Sequence, residues 1–515
     1  MELQYFEFGP MKIVVSIAVV GFCGLLGFLY NELVMKPNTL REILKKQGID
    51  GPRPSFLLGN IRELMKKPQN NNNDKRPIFH NVAAALYPCF GQWKKKYGEL
   101  FVFSLGNKQI VCVNQADVVR EITKHISLDL GKISTQRKEF GPLLGQGVLT
   151  SNGKSWAHQR KIIAPELYMD KVKGMMNLIT ESAITLIKSW KSKIEAEGGI
   201  ADIKIDASIS TFSADVISRA CFGSNYSEGQ QIFFKLRTLR EIMSKKSLLL
   251  KIPGMRFLPT KSNICVWKLE KEIYNLILKV VKKRQEAAHE KDLLQTILQN
   301  AKRSNLTQKA VEKFIVDNCK TIYLAGYDTT AASASWCLMF LASDQQWQDR
   351  VRADVLEICG DRIPDVDMLP KMKQLTMVIQ ESLRLYPPVP LVTREALKDM
   401  KFNDVYIPKG VDIWVTILTL HTDPEIWGSD AYEFKPDRFA NGIAGACKLP
   451  HLYMPFGYGP RVCLGQNLAM VELKLLLALI LSNFSFSLSP NYTHSPVYRL
   501  LIEPERGVNL LVKNL

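Results

Sequence analysis

The 515-residue sequence predicts a mainly α-helical fold with small β-sheets, carried behind an N-terminal membrane helix. Three observations predict it. Ile13–Tyr30 runs 18 residues without a charge. Thr307–Leu341 is one long apolar-periodic run, with Val311, Phe314, Ile315, Ile322 and Ala325 at helical spacings. The strand-like runs are short: "LFVFSL" (Leu100–Leu105), "QIVCVN" (Gln109–Asn114) and "VDIWVTI" (Val411–Ile417). Hydrophobic residues make up 46% of the chain, enough for a sizeable core. No repeat is visible, and no glycine-rich phosphate loop precedes a helix.

The N-terminal run is just long enough to cross a thin bilayer with its flanks. A cleaved signal peptide would have a shorter apolar core and a small-residue cleavage site, which is not evident here. Only Lys12 precedes the run, whereas Lys36, Arg41, Lys45 and Lys46 follow it. The positive-inside rule then faces the body of the protein to the cytosol. The sequons at Asn225, Asn305, Asn483 and Asn491 would be unused there. The expected division is an anchor over 1–31, a linker over 32–55 and one large domain over 56–515. "GPRPSFLLGN" (Gly51–Asn60) is a stiff turn, because both prolines fix their φ angles. "PQNNNNDKRP" (Pro68–Pro77) is low-complexity and polar, the composition of a mobile loop.

Lys and Arg outnumber Asp and Glu by 68 to 50, a net charge of +18. The first 50 residues hold five of each sign, so the excess sits in the remainder. Such a balance suits an acidic partner or an anionic membrane face. Nucleic acid is disfavoured, because no dense basic run is interleaved with aromatics. The ten cysteines include no Cys-x-x-Cys pair, which argues for a reducing compartment and against a disulfide scaffold or structural zinc.

One cysteine stands apart. "PFGYGPRVCLGQ" (Pro455–Gln466) brackets Cys463 with glycines, and a strongly helical run follows. The thiol therefore sits at or just before a helix N-terminus, where unpaired N–H groups and the helix dipole stabilise a thiolate. Glycines let backbone fold under a flat ligand. A thiolate held this way is an axial ligand for haem iron, and its electron donation favours O–O cleavage. A buried cysteine in a glycine-rich turn is the plainer alternative.

Phe456-x-x-Gly459-x-Arg461-x-Cys463-x-Gly465 resembles the haem-binding signature of the cytochrome P450 family. Four more motifs agree in the family's order: "WAHQR" (Trp156–Arg160), "AGYDTT" (Ala325–Thr330), "ESLR" (Glu381–Arg384) and "PDRF" (Pro436–Phe439). The resemblance implies the P450 fold, haem b as cofactor and Cys463 as the iron ligand. It also implies that Trp156, Arg160, Arg394 and Arg461 hold the haem propionates, and that Phe456 packs beside the sulfur. Glu381 and Arg384, at i and i+3, share a helix face and can pair. By resemblance Arg438 completes a buried triad with them. In "AGYDTT", Gly326 would relieve crowding at the oxygen-binding groove. Thr329 can hydrogen-bond its own backbone and open a local groove. Asp328 and Thr329 form an acid–alcohol pair suited to proton delivery.

The implied activity is monooxygenation of a hydrophobic small molecule with O2. Electrons would come from NADPH through a membrane-bound NADPH–cytochrome P450 reductase. Lys154, Lys161, Lys171 and Lys173 lie on or near its implied docking helix. The expected location is the endoplasmic reticulum membrane. "LREILKKQGIDGPRPSFLLGNI", "LLGQGVLTSNGKSWAHQRKIIAPEL" and "DNCKTIYLAGYDTTA" resemble a plant branch that oxidises gibberellins and other di- and triterpenoids. Substrate contacts are expected from Gly141–Leu149, the helix near Tyr323, Pro388–Val392 and the turn at Leu500–Leu501. Oxidation of an alkaloid or iridoid is the neighbouring alternative. A haem-thiolate isomerase or dehydratase, or a haem sensor, would not need the acid–alcohol pair.

Overall fold

The computed structural model describes residues 9–66, 80–223, 226–246, 257–286, 292–302 and 307–515. The polar run Pro68–Pro77 and the sequons at Asn225 and Asn305 lie outside the described residues.

Helix α1 (Gly9–Tyr30) contains the uncharged run. Its apolar window from Ile13 is 0% buried by the rest of the chain and has a mean hydropathy of 2.4. Such a helix satisfies its backbone internally and needs an apolar surrounding for its side chains. One π-turn, Asn31–Met35, carries it directly into α2 (Lys36–Lys45). The expected linker over 32–55 is thus helical as far as Lys45. The reason is packing: Leu44 and Ile49 are buried against the first sheet, and Arg41 donates to the Pro52 carbonyl at 2.7 Å.

Five further helices position the site. They are α3 (Gly153–Ile163), α4 (Asp206–Phe222), α5 (Tyr226–Lys246), α6 (Gln308–Ser343) and α7 (Lys373–Leu385). A last helix, α8 (Gln466–Asn483), is long and apolar enough to span a membrane but is 61% buried in the core. Helix α6 corresponds to the periodic run read from Thr307 to Leu341. It is buried through most of its length and packs on α4, α7 and α8. Ala325 is an exposed residue in the middle of it.

Apart from a small antiparallel pair, Met400–Phe402 with Val405–Ile407, the strands in chain order are β1 (Leu100–Leu105), β2 (Lys108–Val113), β3 (Leu130–Gly131), β4 (Ile200–Lys204), β5 (Leu391–Ala396), β6 (Asp412–Thr416), β7 (Phe484–Leu488), β8 (Pro496–Tyr498), β9 (Ile502–Pro504) and β10 (Asn509–Asn514). The first sheet has the order β1-β2-β6-β5-β3. Strands β1 and β2 form an antiparallel hairpin closed by Gly106–Asn107, where Gly106 takes φ 61°. That positive φ matches the strand twist and is open to glycine. Strand β2 pairs in parallel with β6. Both strands are buried nearly throughout, so they read as continuous apolar runs, not alternations. Ile417 leaves the strand and begins a short helix. A second sheet joins β4, β10 and β7, and β8 with β9 makes a separate hairpin.

Candidate active site

Cys463 lies in an irregular turn three residues before α8. The approach is built by Gly457 and Gly459, both at φ 73°. A Cβ on Gly459 would stand 2.1 Å from the Thr123 carbonyl oxygen, so no side chain fits there. Gly465 has an ordinary φ of −87° and needs no such freedom. The Cys463 N–H donates to the Phe456 carbonyl at 2.9 Å, which closes the loop on itself. The residue keeps accessible surface while lying deep in the fold. Burial pushes its thiol pKa up, opposed by the Gly465 N–H and the Arg160 charge. A bound cation at the sulfur would tip that balance to thiolate.

A cluster of cations converges nearby. Trp156 and Arg160 sit one helical turn apart on α3. The Arg461 guanidinium lies over the Trp156 ring at 4.1 Å, and that of Arg160 at 5.9 Å. Arg160 donates to the Val462 carbonyl at 3.0 Å, next to Cys463. Arg461 donates to the Ser151 carbonyl at 3.2 Å. Arg394, from β5, lines the same small cleft as Trp156 and Arg461. Burial lowers the Arg394 pKa to about 10. Arg461 is lowered to about 9 by burial and then by Arg394 and Arg160.

Two members of the cluster lie outside every sequence motif. Lys132 is drawn in at the end of β3, where Asn152 accepts its N–H at 2.6 Å. Its pKa is pulled well down by burial and by Arg394 and Arg461. His125 lines the cleft, and its buried Nε2 has no hydrogen-bond partner. Only the fold brings these two here. Among the described residues, no carboxylate forms an ion pair with Lys132, Arg160, Arg394 or Arg461. Four desolvated cations without an anion is an incomplete arrangement. The two propionates of a haem would complete it, and His125 Nε2 offers a further polar contact. The donor set fits a haem ligated by Cys463.

Thr329 on α6 donates through its hydroxyl to the Ala325 carbonyl at 2.7 Å. This local back-bond diverts a helix acceptor. Asp328 is not free: its carboxylate meets Arg240 of α5 at 3.0 Å. Burial nonetheless raises its pKa to about 6, against the opposing pull of Arg240. Gly326 differs from expectation. Its missing side chain points at Ile217 of α4, where a Cβ would stand 2.5 Å from Ile217 Cδ1. The glycine lets two helices approach.

Glu381 and Arg384 are fully buried and bidentate, at 2.7 and 2.8 Å. Arg384 also donates to the His421, Ala431 and Glu433 carbonyls. Arg438 is more loosely attached than the triad implies, 3.6 Å from Glu381 and 2.8 Å from Asp430. The Lys435 N–H fills the Glu381 oxygen instead, at 2.9 Å. Tyr323 is 1% exposed and stacks on Phe222 at 4.0 Å, so it packs α6 against α4. The Gly141–Leu149 segment is partly helical and is stapled to α6. Thr321 donates to the Leu144 carbonyl, and Asn318 accepts the Val148 N–H. The Ile502 N–H donates to the Pro388 carbonyl at 2.9 Å, joining two of the expected substrate segments.

This arrangement is that of a haem-thiolate monooxygenase, and comparison with known proteins agrees. The family model described as cytochrome P450 matches residues 79–511. The chain is 51% identical over 501 residues to cytochrome P450 714C2 of Oryza sativa subsp. japonica, covering 95% of this chain and 96% of that one. It is 46% identical to cytochrome P450 714B2 of the same plant, covering 99% and 98%. It is 44% identical to cytochrome P450 714A2 of Arabidopsis thaliana, covering 96% and 97%. The chain belongs to the cytochrome P450 family.

Proposed function

We propose that this monooxygenase oxidises a bulky hydrophobic plant metabolite of the di- or triterpenoid class, gibberellin-like or a pentacyclic acid. The single observation that carries the reading is the full-length similarity to plant relatives of the 714 group. We further propose NADPH–cytochrome P450 reductase as electron donor and the endoplasmic reticulum membrane, facing the cytosol, as location. Lys154, Lys161, Lys171 and Lys173 are all exposed, which supports a docking face for an acidic partner.

Haem would be held by Cys463 at the iron and by Lys132, Arg160, Arg394, Arg461 and Trp156 at its edge. When bound, it supplies the centre at which O2 is reduced and split. The protein's own part is to bind, to exclude water and to move protons. Phe456 packs against the core and its carbonyl accepts the Cys463 N–H, a place from which its ring would limit water access to the sulfur once haem is bound. Burial brings the Asp328 pKa up to about 6, close enough to neutrality for it to take up and release a proton, and the Thr329 hydroxyl can pass one onward.

The test is product identification. Microsomes containing the protein and a plant reductase would be supplied with NADPH and a panel of di- and triterpenoids. Mass spectrometry should find products gaining one oxygen atom. Products from alkaloids or iridoids alone would overturn the substrate class.

A further inference from the structure

Asp328 belongs to a chain of charges that reaches a distant segment. Arg240, only 7% exposed, bridges two acids: Asp328 at 3.0 Å and Glu503 at 3.1 Å. Glu503 in turn meets Arg499 at 3.5 Å, and Arg499 meets Glu505 at 3.8 Å. Glu503 lies on β9, and its position is fixed. The neighbouring Ile502 carbonyl accepts the Trp336 indole N–H of α6 at 3.1 Å. The Ile502 N–H donates to Pro388. Between Arg499 and Glu503 runs the turn of Leu500 and Leu501, with Leu500 at φ 73°. A leucine held in the left-handed region is strained, and the flanking contacts over-determine it.

We propose that Glu503 is a positioning residue of the reaction: it shares the Arg240 guanidinium with Asp328 and so sets how tightly that cation holds the acid. The inference rests on the reading of Asp328 as proton carrier. An arginine bound to one carboxylate clamps it as the anion. An arginine divided between two clamps each less. Glu503 thereby keeps Asp328 able to take up and release a proton. It also ties the turn at Leu500–Leu501 to the acid on α6.

The other groups facing Asp328 come from two helices. Arg237 and Arg240 belong to α5, with Glu241 beside Arg240; Tyr327 comes from α6 itself. Of these, Arg237, Arg240 and the Tyr327 hydroxyl favour the carboxylate, and Glu503 opposes it. Removing the Glu503 charge should therefore lower the Asp328 pKa. Removing the Arg240 charge should raise it.

The experiment follows the protonated-carboxyl stretch of Asp328 by infrared difference titration of the holoenzyme. The band is assigned by its loss in Asp328→Asn. In Glu503→Gln the midpoint should fall by about one pH unit, and in Glu503→Asp it should return towards the parent. In Arg240→Gln it should move the opposite way. Opposite signs separate an electrostatic role from a merely structural one. If Arg240→Gln does not fold, the Glu503 pair carries the test alone. An unchanged midpoint in Glu503→Gln would overturn the proposal. The product formed per NADPH should follow the same shift towards lower pH, with more peroxide at pH 7. Full coupling in Asp328→Asn, beside a shifted midpoint in Glu503→Gln, would instead overturn the proton-carrier reading and leave the Glu503 effect standing.

Discussion

At the scale of the residue, chemistry and backbone make separate demands. Cys463 is the one cysteine placed between left-handed glycines and a helix start, with an arginine at its flank. Among the other described cysteines, Cys112, Cys221, Cys319 and Cys337 are fully enclosed, and burial pushes each thiol up to about 12 or higher. Cys463→Ser should abolish the red-shifted Soret band of the reduced carbonyl complex. A variant that keeps the band would remove Cys463 as ligand. Thr329→Ala leaves thiolate and pocket in place and removes only the hydroxyl. General acid–base contributions are worth about 10²–10⁴-fold, and water can stand in for a lost hydroxyl, so the low end is expected. Product should fall while NADPH consumption continues and hydrogen peroxide rises. Coupling equal to the parent would show that Thr329 delivers no proton. The ligand and the acid–alcohol pair are legible in the sequence because each lies in one short run of chain. Lys132 and His125 are not, because β3 and its flanking loop are brought to the cluster by tertiary pairing alone.

Elements carry the next set of demands, and the sequence expresses them unevenly. The i, i+3 spacing of Glu381 and Arg384 on α7 is enough by itself to predict their pairing. What the spacing leaves open is the depth of the network, since Arg384 meets carbonyls at three positions distant in the sequence, His421, Ala431 and Glu433. Glu381→Gln would strand Arg384, which is 0% exposed. Breaking a buried pair in this way costs about 3–5 kcal/mol. The variant should melt earlier than the parent and retain less haem, both measurable in one thermal scan with absorbance at the Soret band. A parental melting point would show that the carbonyls alone satisfy Arg384. Helix α6 shows the opposite case. Its periodicity predicts a helix but not which neighbour each face meets. The motif places Gly326 on the oxygen side, whereas its missing side chain faces α4. Composition cannot orient a helix that is apolar on nearly all sides.

For the whole molecule, two properties emerge that no single element holds. The first is the division between membrane and body. Helix α1 stands clear of the core, whereas α2 follows it directly and packs against the first sheet; with α1 in a bilayer, that packing would hold the body close to it. Protease added to intact microsomes should digest the body, and protection of the body would refute a cytosolic face. The second is stability against acid. His80 and His494 flank the Tyr386 hydroxyl at 2.9 Å each, while His421 accepts the Met454 N–H at 3.0 Å. Burial lowers their pKa values to about 3, about 4 and about 3 respectively. These groups are neutral in the fold and protonate near pH 6.5 once unfolded. Between those limits the unfolded chain binds more protons, so stability must fall as pH falls below 6.5. Each histidine steepens that fall by up to about 1.4 kcal/mol per pH unit. The loss levels off only below the folded values. His494→Gln should lower stability at pH 7.5, because it disturbs the Tyr386 contact, yet show a shallower decline from pH 6.5 to 4.5. Thermal midpoints of parent and variant across that range measure the difference. Parallel curves would show that His494 takes up its proton within the native fold.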